Sequence, residues 1–177
     1  MPRILLTAFE PFDKNKTNYS LEILNELEIK DKVILPVIFF EASNILLKKL
    51  KNYNYCLMLG EARSRTKISL EKVAINYIDA RIPDNSNKTI NNQLIIPNGP
   101  DAYFSNIDIY SLFDSLKCKE NISVSYSAGT FVCNELYYRV LNQISKNKLP
   151  TKALFIHIPN LENLSKEDVK NAIDEII

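Results

Sequence analysis

Apolar and polar positions along the chain follow two rhythms. Short runs rich in apolar residues occur at residues 3–8, 32–40, 55–59, 122–126 and 152–158. Each is of strand length, and 122–126 is rich in β-branched and aromatic residues. Between them, apolar residues recur at helical spacing: Leu21, Leu24 and Leu27; Ala42, Ile45, Leu46 and Leu50; Ile109, Leu112, Phe113 and Leu116; Cys133, Leu136, Tyr137, Val140, Leu141 and Ile144; Val169, Ala172, Ile173 and Ile176. This predicts helices over 18–27, 41–51 and 106–118, from 133 onward, and over 165–177. Thr17 or Asn18 caps the first, and Ser165 with Asp168 makes a capping box for the last. Pro36 places the second strand at an edge or a bulge.

Residues 68–79 read as a strand or an extended pair. Residues 80–100 read as a long polar excursion with room for a small hairpin. Loops of that length in a compact domain are usually functional or flexible. The opening β-α-β-α-β order predicts a single α/β domain, residues 1–177, with a mostly parallel sheet covered on both faces. Ligands of such folds gather beyond the carboxyl ends of strands. The loops after Ala8, Leu59, Tyr126 and Ile158 are therefore where chemistry is expected.

Composition narrows the classes. The chain has 177 residues and a formal net charge of +1, so no overall field argues for nucleic acid or membrane partners. The apolar run at Met1-Pro2-Arg3-Ile4-Leu5-Leu6 is too short for a signal peptide, and no apolar run is long enough to span a bilayer. A soluble, cytoplasmic protein is expected. Three cysteines, Cys56, Cys118 and Cys133, with no CxxC spacing, argue against a disulfide framework and a zinc site. No metal and no cofactor is expected. Glycine occurs 3 times, at Gly60, Gly99 and Gly129, and histidine once, at His157.

The stretch 122–140, ISVSYSAGTFVCNELYYRV, reads as strand, tight turn and helix, with Cys133 at or near the first helical turn. Unpaired N–H groups and the positive dipole end there favour a thiolate. His157 arrives near the end of the last strand. A cysteine at a helix start, a histidine at a strand end and an acid elsewhere are the parts of a Cys-His-acid hydrolase. Backbone N–H groups at the helix start would receive the oxyanion. Spacing alone leaves the alternative open: a buried thiol plugging a strand–helix junction and a satisfied core histidine.

Five segments add a resemblance. LLTAFEPF, ISLEKVAINYIDARIPDN, GPDAYFS, SYSAGTFVCN and FIHIP, in this order through nearly the whole chain, resemble pyroglutamyl peptidase I, a family of cytosolic cysteine peptidases that remove an N-terminal pyroglutamate. The resemblance implies an α/β/α sandwich with a mixed, mostly parallel sheet. It implies Cys133 as nucleophile, His157 as general base and acid, and Glu71 as the residue that orients the histidine. It implies an apolar pocket for a neutral lactam ring, at Phe9, Phe12, Ile82, Phe131 and Val132, with Arg81 lending charge or bracing a loop. The partners implied are N-terminally pyroglutamylated peptides and further copies of the chain, as a dimer or tetramer. The reaction implied is release of L-pyroglutamate through a thioester acyl-enzyme. The alternatives are a thiol amidase with another acyl specificity and a non-catalytic pyroglutamyl-binding member. The chain departs from the family pattern at Ala8, at Asp13-Lys14, at Leu70, at Asn160-Leu161-Glu162 and in the loop Glu61-Ala62-Arg63-Ser64, where the family has glutamine followed by glycines.

Overall fold

Apolar runs at strand spacing need cover on both faces, because successive side chains point to opposite sides. The computed structural model, which describes residues 2–13 and 15–177, shows how that cover is supplied. Met1 of the N-terminal run and Lys14 of the Asp13-Lys14 departure lie outside the described residues. The elements in order are β1 (Ile4–Phe9), α1 (Tyr19–Glu26), β2 (Asp31–Leu35), α2 (Glu41–Leu47), β3 (Tyr55–Glu61), β4 (Ile68–Glu71), β5 (Val73–Ile75), β6 (Ala102–Phe104), α3 (Ile109–Ser115), β7 (Ile122–Ser125), α4 (Val132–Asn147), β8 (Lys152–Ile158) and α5 (Lys166–Ile176).

The main sheet has the order β2-β1-β3-β8-β4-β7. All neighbours run parallel except β4 and β8, which pair antiparallel. Strand parity sorts the core into two layers. Leu5 and Phe9 of β1, Cys56 and Met58 of β3, and Ala153 and Phe155 of β8 pack with α2 and α4. Leu6 and Ala8, Leu57 and Leu59, and Leu154, Ile156 and Ile158 pack with α1, α3 and α5. This is the α/β/α sandwich with a mixed, mostly parallel sheet that the family resemblance implies. Among the described residues, no helix is long and apolar enough to cross a membrane.

Local signals account for the element ends. Asn18 caps α1, its side chain accepting from the N–H of Ser20, and Ser165 caps α5 by accepting from the N–H of Asp168. β2 is an edge strand and stops at Leu35, one residue before Pro36, which has no N–H to give. The stretch 68–79 is not one strand. It divides into β4, in the main sheet, and β5, which pairs with β6 in a separate two-stranded ribbon. The excursion over 80–100 contains no hairpin; a single bridge joins Ile78 to Gln93. Buried side chains order it instead. Asn76 donates to the carbonyls of Ile96 and Gly99 and accepts from the N–H of Ile96. Ile90 and Ile95 are buried, whereas Leu94 faces solvent.

Gly60, in β3, faces the α4 side next to the ring of Phe155. A Cβ there would stand 2.7 Å from Phe155 Cζ and 3.0 Å from Cys133 Sγ. Gly60→Ala is therefore expected to lower stability by about 1–3 kcal/mol through overpacking. The check is the denaturant midpoint at unchanged m-value; an unshifted midpoint would show that the ring and thiol move aside freely.

Candidate active site

Parity also builds the site. His157 lies two residues beyond Phe155 on β8, so it faces α4. Glu71 ends β4 on the same face, since Ile68 and Leu70 belong to the opposite layer. The antiparallel register sets Glu71 opposite Phe155 and Ser69 opposite His157. Glu71 and His157 are therefore diagonal neighbours, within reach for long side chains. His157 Nδ1 lies 2.7 Å from Glu71 Oε1. Both residues are buried.

Cys133 comes from the other layer. It is the second residue of α4, and Phe131 at the cap makes no side-chain hydrogen bond to the first turn. The N–H groups at this helix start therefore lack the side-chain acceptor that a Ser, Thr or Asp cap supplies. Asn134 anchors the turn: its Oδ1 accepts from the N–H of Ile75 at 3.0 Å, and its Nδ2 donates to the carbonyls of Ile75 and Tyr77 at 2.9 and 3.0 Å. Tyr137, one turn on, donates its hydroxyl to the Glu71 carbonyl at 3.0 Å. These bonds fix α4 against the segment that carries the carboxylate.

Cys133 and His157 both line a cavity of about 130 Å³, with Phe9, Phe12, Asn18, Val37, Glu61, Ala128, Phe131 and Val132. That volume is close to the roughly 150 Å³ of an apolar cavity that accepts one benzene ring. The aromatic walls brace one another. Phe131 lies edge-on to Phe39, with ring centroids 5.2 Å apart, and 6.4 Å from Phe12. Of the sequence-predicted residues, the structure brings together Cys133, His157, Phe9, Phe12, Phe131 and Val132 at the cavity, with Glu71 directly behind His157. It does not bring Ile82 and Arg81 there. They line a neighbouring depression with Asp79, Gly129 and Thr130, and Phe131 is the residue the two hollows share. Ile82 follows β5 on the irregular excursion, whose path the sequence pattern did not define.

Arg65 is the residue that sequence reasoning missed. From the loop after β3 its Nη2 reaches Glu71 Oε1 at 2.9 Å and donates to the Ser127 carbonyl at 2.8 Å. It thus joins the buried carboxylate to the loop that leads into α4. A lone arginine in a polar loop carries no signal for such a bond. Glu71 Oε2 is buried with no hydrogen-bond partner among the described residues.

The charge state differs from the thiolate expected at a helix start. Burial, and then the Glu71 carboxylate, push the Cys133 thiol up to about 12, against the opposing pull of Arg65. Desolvation dominates the dipole here. Desolvation also lowers His157 below the ordinary imidazole value, against the Glu71 hydrogen bond and charge, which raise it; Arg65 lowers it further. Both shifts favour the neutral forms of the two groups, thiol and imidazole.

The fold and its likeness to known proteins define a class, a cysteine peptidase on an α/β/α sandwich. Comparison with known proteins makes this specific. A family model described as pyroglutamyl peptidase matches residues 2–174. Pyrrolidone-carboxylate peptidase 1 of Caldanaerobacter subterraneus subsp. tengcongensis is 46% identical over 171 residues, covering 90% of this chain and 83% of that protein. The crystal structure of pyroglutamyl peptidase I from Bacillus amyloliquefaciens superposes with a TM-score of 0.90 at 29% identity, covering 99% of this chain and 92% of that one. The pyrrolidone carboxyl peptidase of Fervidobacterium islandicum AW-1 superposes with a TM-score of 0.89 at 34% identity, covering 98% and 95%. The chain belongs to the pyroglutamyl peptidase family.

Removing Arg65 takes a cation from beside His157. Arg65→Ala is expected to raise the pKa of His157, read from the imidazole proton shifts by NMR. A pKa that stays put or falls would contradict the electrostatic role of the Arg65–Glu71 contact.

Proposed function

We propose that the protein removes an N-terminal L-pyroglutamyl residue from peptides, with Cys133 as nucleophile, His157 as proton carrier and Glu71 as its orienting partner. The observation that carries this reading is a ring-sized apolar cavity lined by both Cys133 and His157, with Glu71 hydrogen-bonded to the imidazole from behind. Pyroglutamate is a small uncharged lactam. Walls of Phe9, Phe12, Phe131 and Val132 suit such a ring, and no charged anchor is required.

The chemistry follows from the hydrogen bonds. With Nδ1–H donated to Glu71, Nε2 carries the lone pair and is the atom left to take a proton. Because the resting thiol is neutral, the sulfur loses its proton to Nε2 as it attacks the acyl carbonyl. The imidazolium so formed is stabilised by the Glu71 charge. Carbonyl oxygen becomes an oxyanion, for which the N–H groups at the start of α4 are the available donors. Collapse breaks the C–N bond, and Nε2–H protonates the leaving amine, giving a thioester on Cys133. Water, deprotonated by Nε2, then hydrolyses the thioester, and the thiol is restored.

Release of the arylamine from a pyroglutamyl arylamide tests this reading. Cys133→Ala is expected to abolish release and leave the thermal unfolding midpoint near that of the wild type; release that survives the substitution would exclude Cys133 as nucleophile. Preferred turnover of an uncyclised acyl amide would favour a thiol amidase of other specificity. Since neutral His157 is the working base and its pKa is depressed, the acid limb of kcat/KM should have its midpoint below 6.5. A midpoint above 6.5 would mean that a group other than His157, or a His157 dominated by Glu71, controls the acid side.

A further inference from the structure

One buried charge in the cavity wall has no part in the chemistry above. Glu61 ends β3, and its side chain has no exposed surface although it lines the cavity with Cys133 and His157. Both carboxylate oxygens are engaged. Oε2 accepts the backbone N–H of Tyr19, the first residue of α1, at 2.6 Å. Oε1 accepts from Nε of Arg63. Arg63 approaches from the solvent side. Its Nη1 donates to Asn15 Oδ1 at 2.9 Å, and its guanidinium lies over the ring of Tyr19, 5.5 Å from the centroid.

We propose that Arg63 is the charge-compensating partner of Glu61, and that the pair positions the start of α1 against the cavity while keeping that wall electrically neutral for an uncharged acyl group. The proposal rests on the reading of Cys133 as the nucleophile.

Two physical points support it. First, an ion pair on the surface contributes little, but this one is lopsided: the carboxylate is fully buried and the guanidinium partly exposed. Removing the cation leaves a desolvated anion with one backbone N–H as its remaining partner, and that is the costly half of a broken pair. Second, charged groups of both signs surround the Cys133 thiol. Glu71 from β4 and Glu61 from β3 face it as anions, Arg65 faces it from the loop after β3, and His157 faces it from β8. Arg65 is already committed to Glu71. Without Arg63, two carboxylates oppose one arginine at the place where a thiol must ionise and an oxyanion must form, and both events are disfavoured. The Tyr19 bond adds a positional role: Asn18, the preceding residue, caps α1 and lines the cavity. Glu61 and Arg63 both belong to the segment Glu61-Ala62-Arg63-Ser64, where the chain departs from the pattern of the family it resembles. In this structure each is the other's partner.

The test is a double-variant cycle with four proteins: wild type, Arg63→Ala, Glu61→Gln and the double variant. Arg63→Gln, which keeps a stem over Tyr19 and removes the charge, replaces Arg63→Ala if the latter does not fold. Two quantities are read at neutral pH: kcat/KM on a pyroglutamyl arylamide, and the rate at which iodoacetamide, an uncharged reagent, alkylates Cys133, located by peptide mass. Loss of Arg63 is expected to lower both about tenfold, the effect of about one unit in thiol ionisation. In the Glu61→Gln background, the same loss should change each by less than about twofold, because no uncompensated anion remains. Equal losses in both backgrounds would mean that Arg63 acts only by packing on Tyr19 and Asn15, and would overturn the proposal. So would no loss in either. Alkylation reads the thiol without turnover. A wild type that shows the expected alkylation pattern but releases no amine would uphold the pair and overturn the pyroglutamyl reading.

Discussion

A carboxylate with no exposed surface, Glu71, sets the terms for everything around it. Burying an ionised carboxyl is costly unless charge and hydrogen bonds meet it. Here the His157 ring nitrogen and the Arg65 guanidinium both meet Oε1. Those contacts need β4 to run antiparallel to β8, so that Glu71 and His157 fall on one face and diagonally across one ladder. They also need the loop after β3 to carry Arg65 to the Glu71 carboxylate. The antiparallel pair in an otherwise parallel sheet is thus the geometric source of the site. The Tyr137 hydroxyl and the Asn134 amide then hold α4 to the same segment.

Much of this was legible in the chain, and the reasons are local. β8 appears at its predicted bounds because Ala153–Ile158 is buried without interruption and Pro159 follows. Asn18 and Ser165 cap as expected because a short polar side chain before an apolar face satisfies N–H groups wherever that face is buried. His157 could be placed on a strand end and Cys133 on a helix start from periodicity alone. Their meeting across two layers could not, and it was the family resemblance that joined them to Glu71. What stayed hidden was set by tertiary bonds. β5 and β6 are three residues each and exist as partners of one another. The path of residues 80–100 depends on Asn76 and buried isoleucines, so Ile82 and Arg81 could be expected near the cavity and yet lie beside it. Arg65 and Arg63 carry no pattern at all; their roles are visible only as contacts.

The helix-start thiol illustrates how magnitudes decide between effects. A helix N-terminus favours an anion by a modest amount, about 0.3–1 kcal/mol at exposed sites. Desolvation and a nearby carboxylate together shift a buried group much further. In this site the second pair wins, and the neutral thiol is the favoured form of Cys133. In the proposed mechanism, proton transfer to His157 then belongs to the attack itself. In that mechanism the lowered imidazole pKa favours a neutral acceptor, and Glu71, hydrogen-bonded to the ring, would stabilise the cation once the proton has moved. Gly60 leaves room for the sulfur and for the Phe155 ring beneath it.

The central claim is that Cys133 carries the acyl group between the two half-reactions. The most direct measurement is intact mass and peptide mapping after acid quench, early in turnover of a pyroglutamyl ester, where acylation outruns deacylation. The expected result is one pyroglutamyl group in thioester linkage on the Cys133 peptide, lost on neutral incubation as pyroglutamate appears. Turnover with the label on another residue, or with product formed and no covalent species under conditions that show a burst of the leaving group, would contradict it.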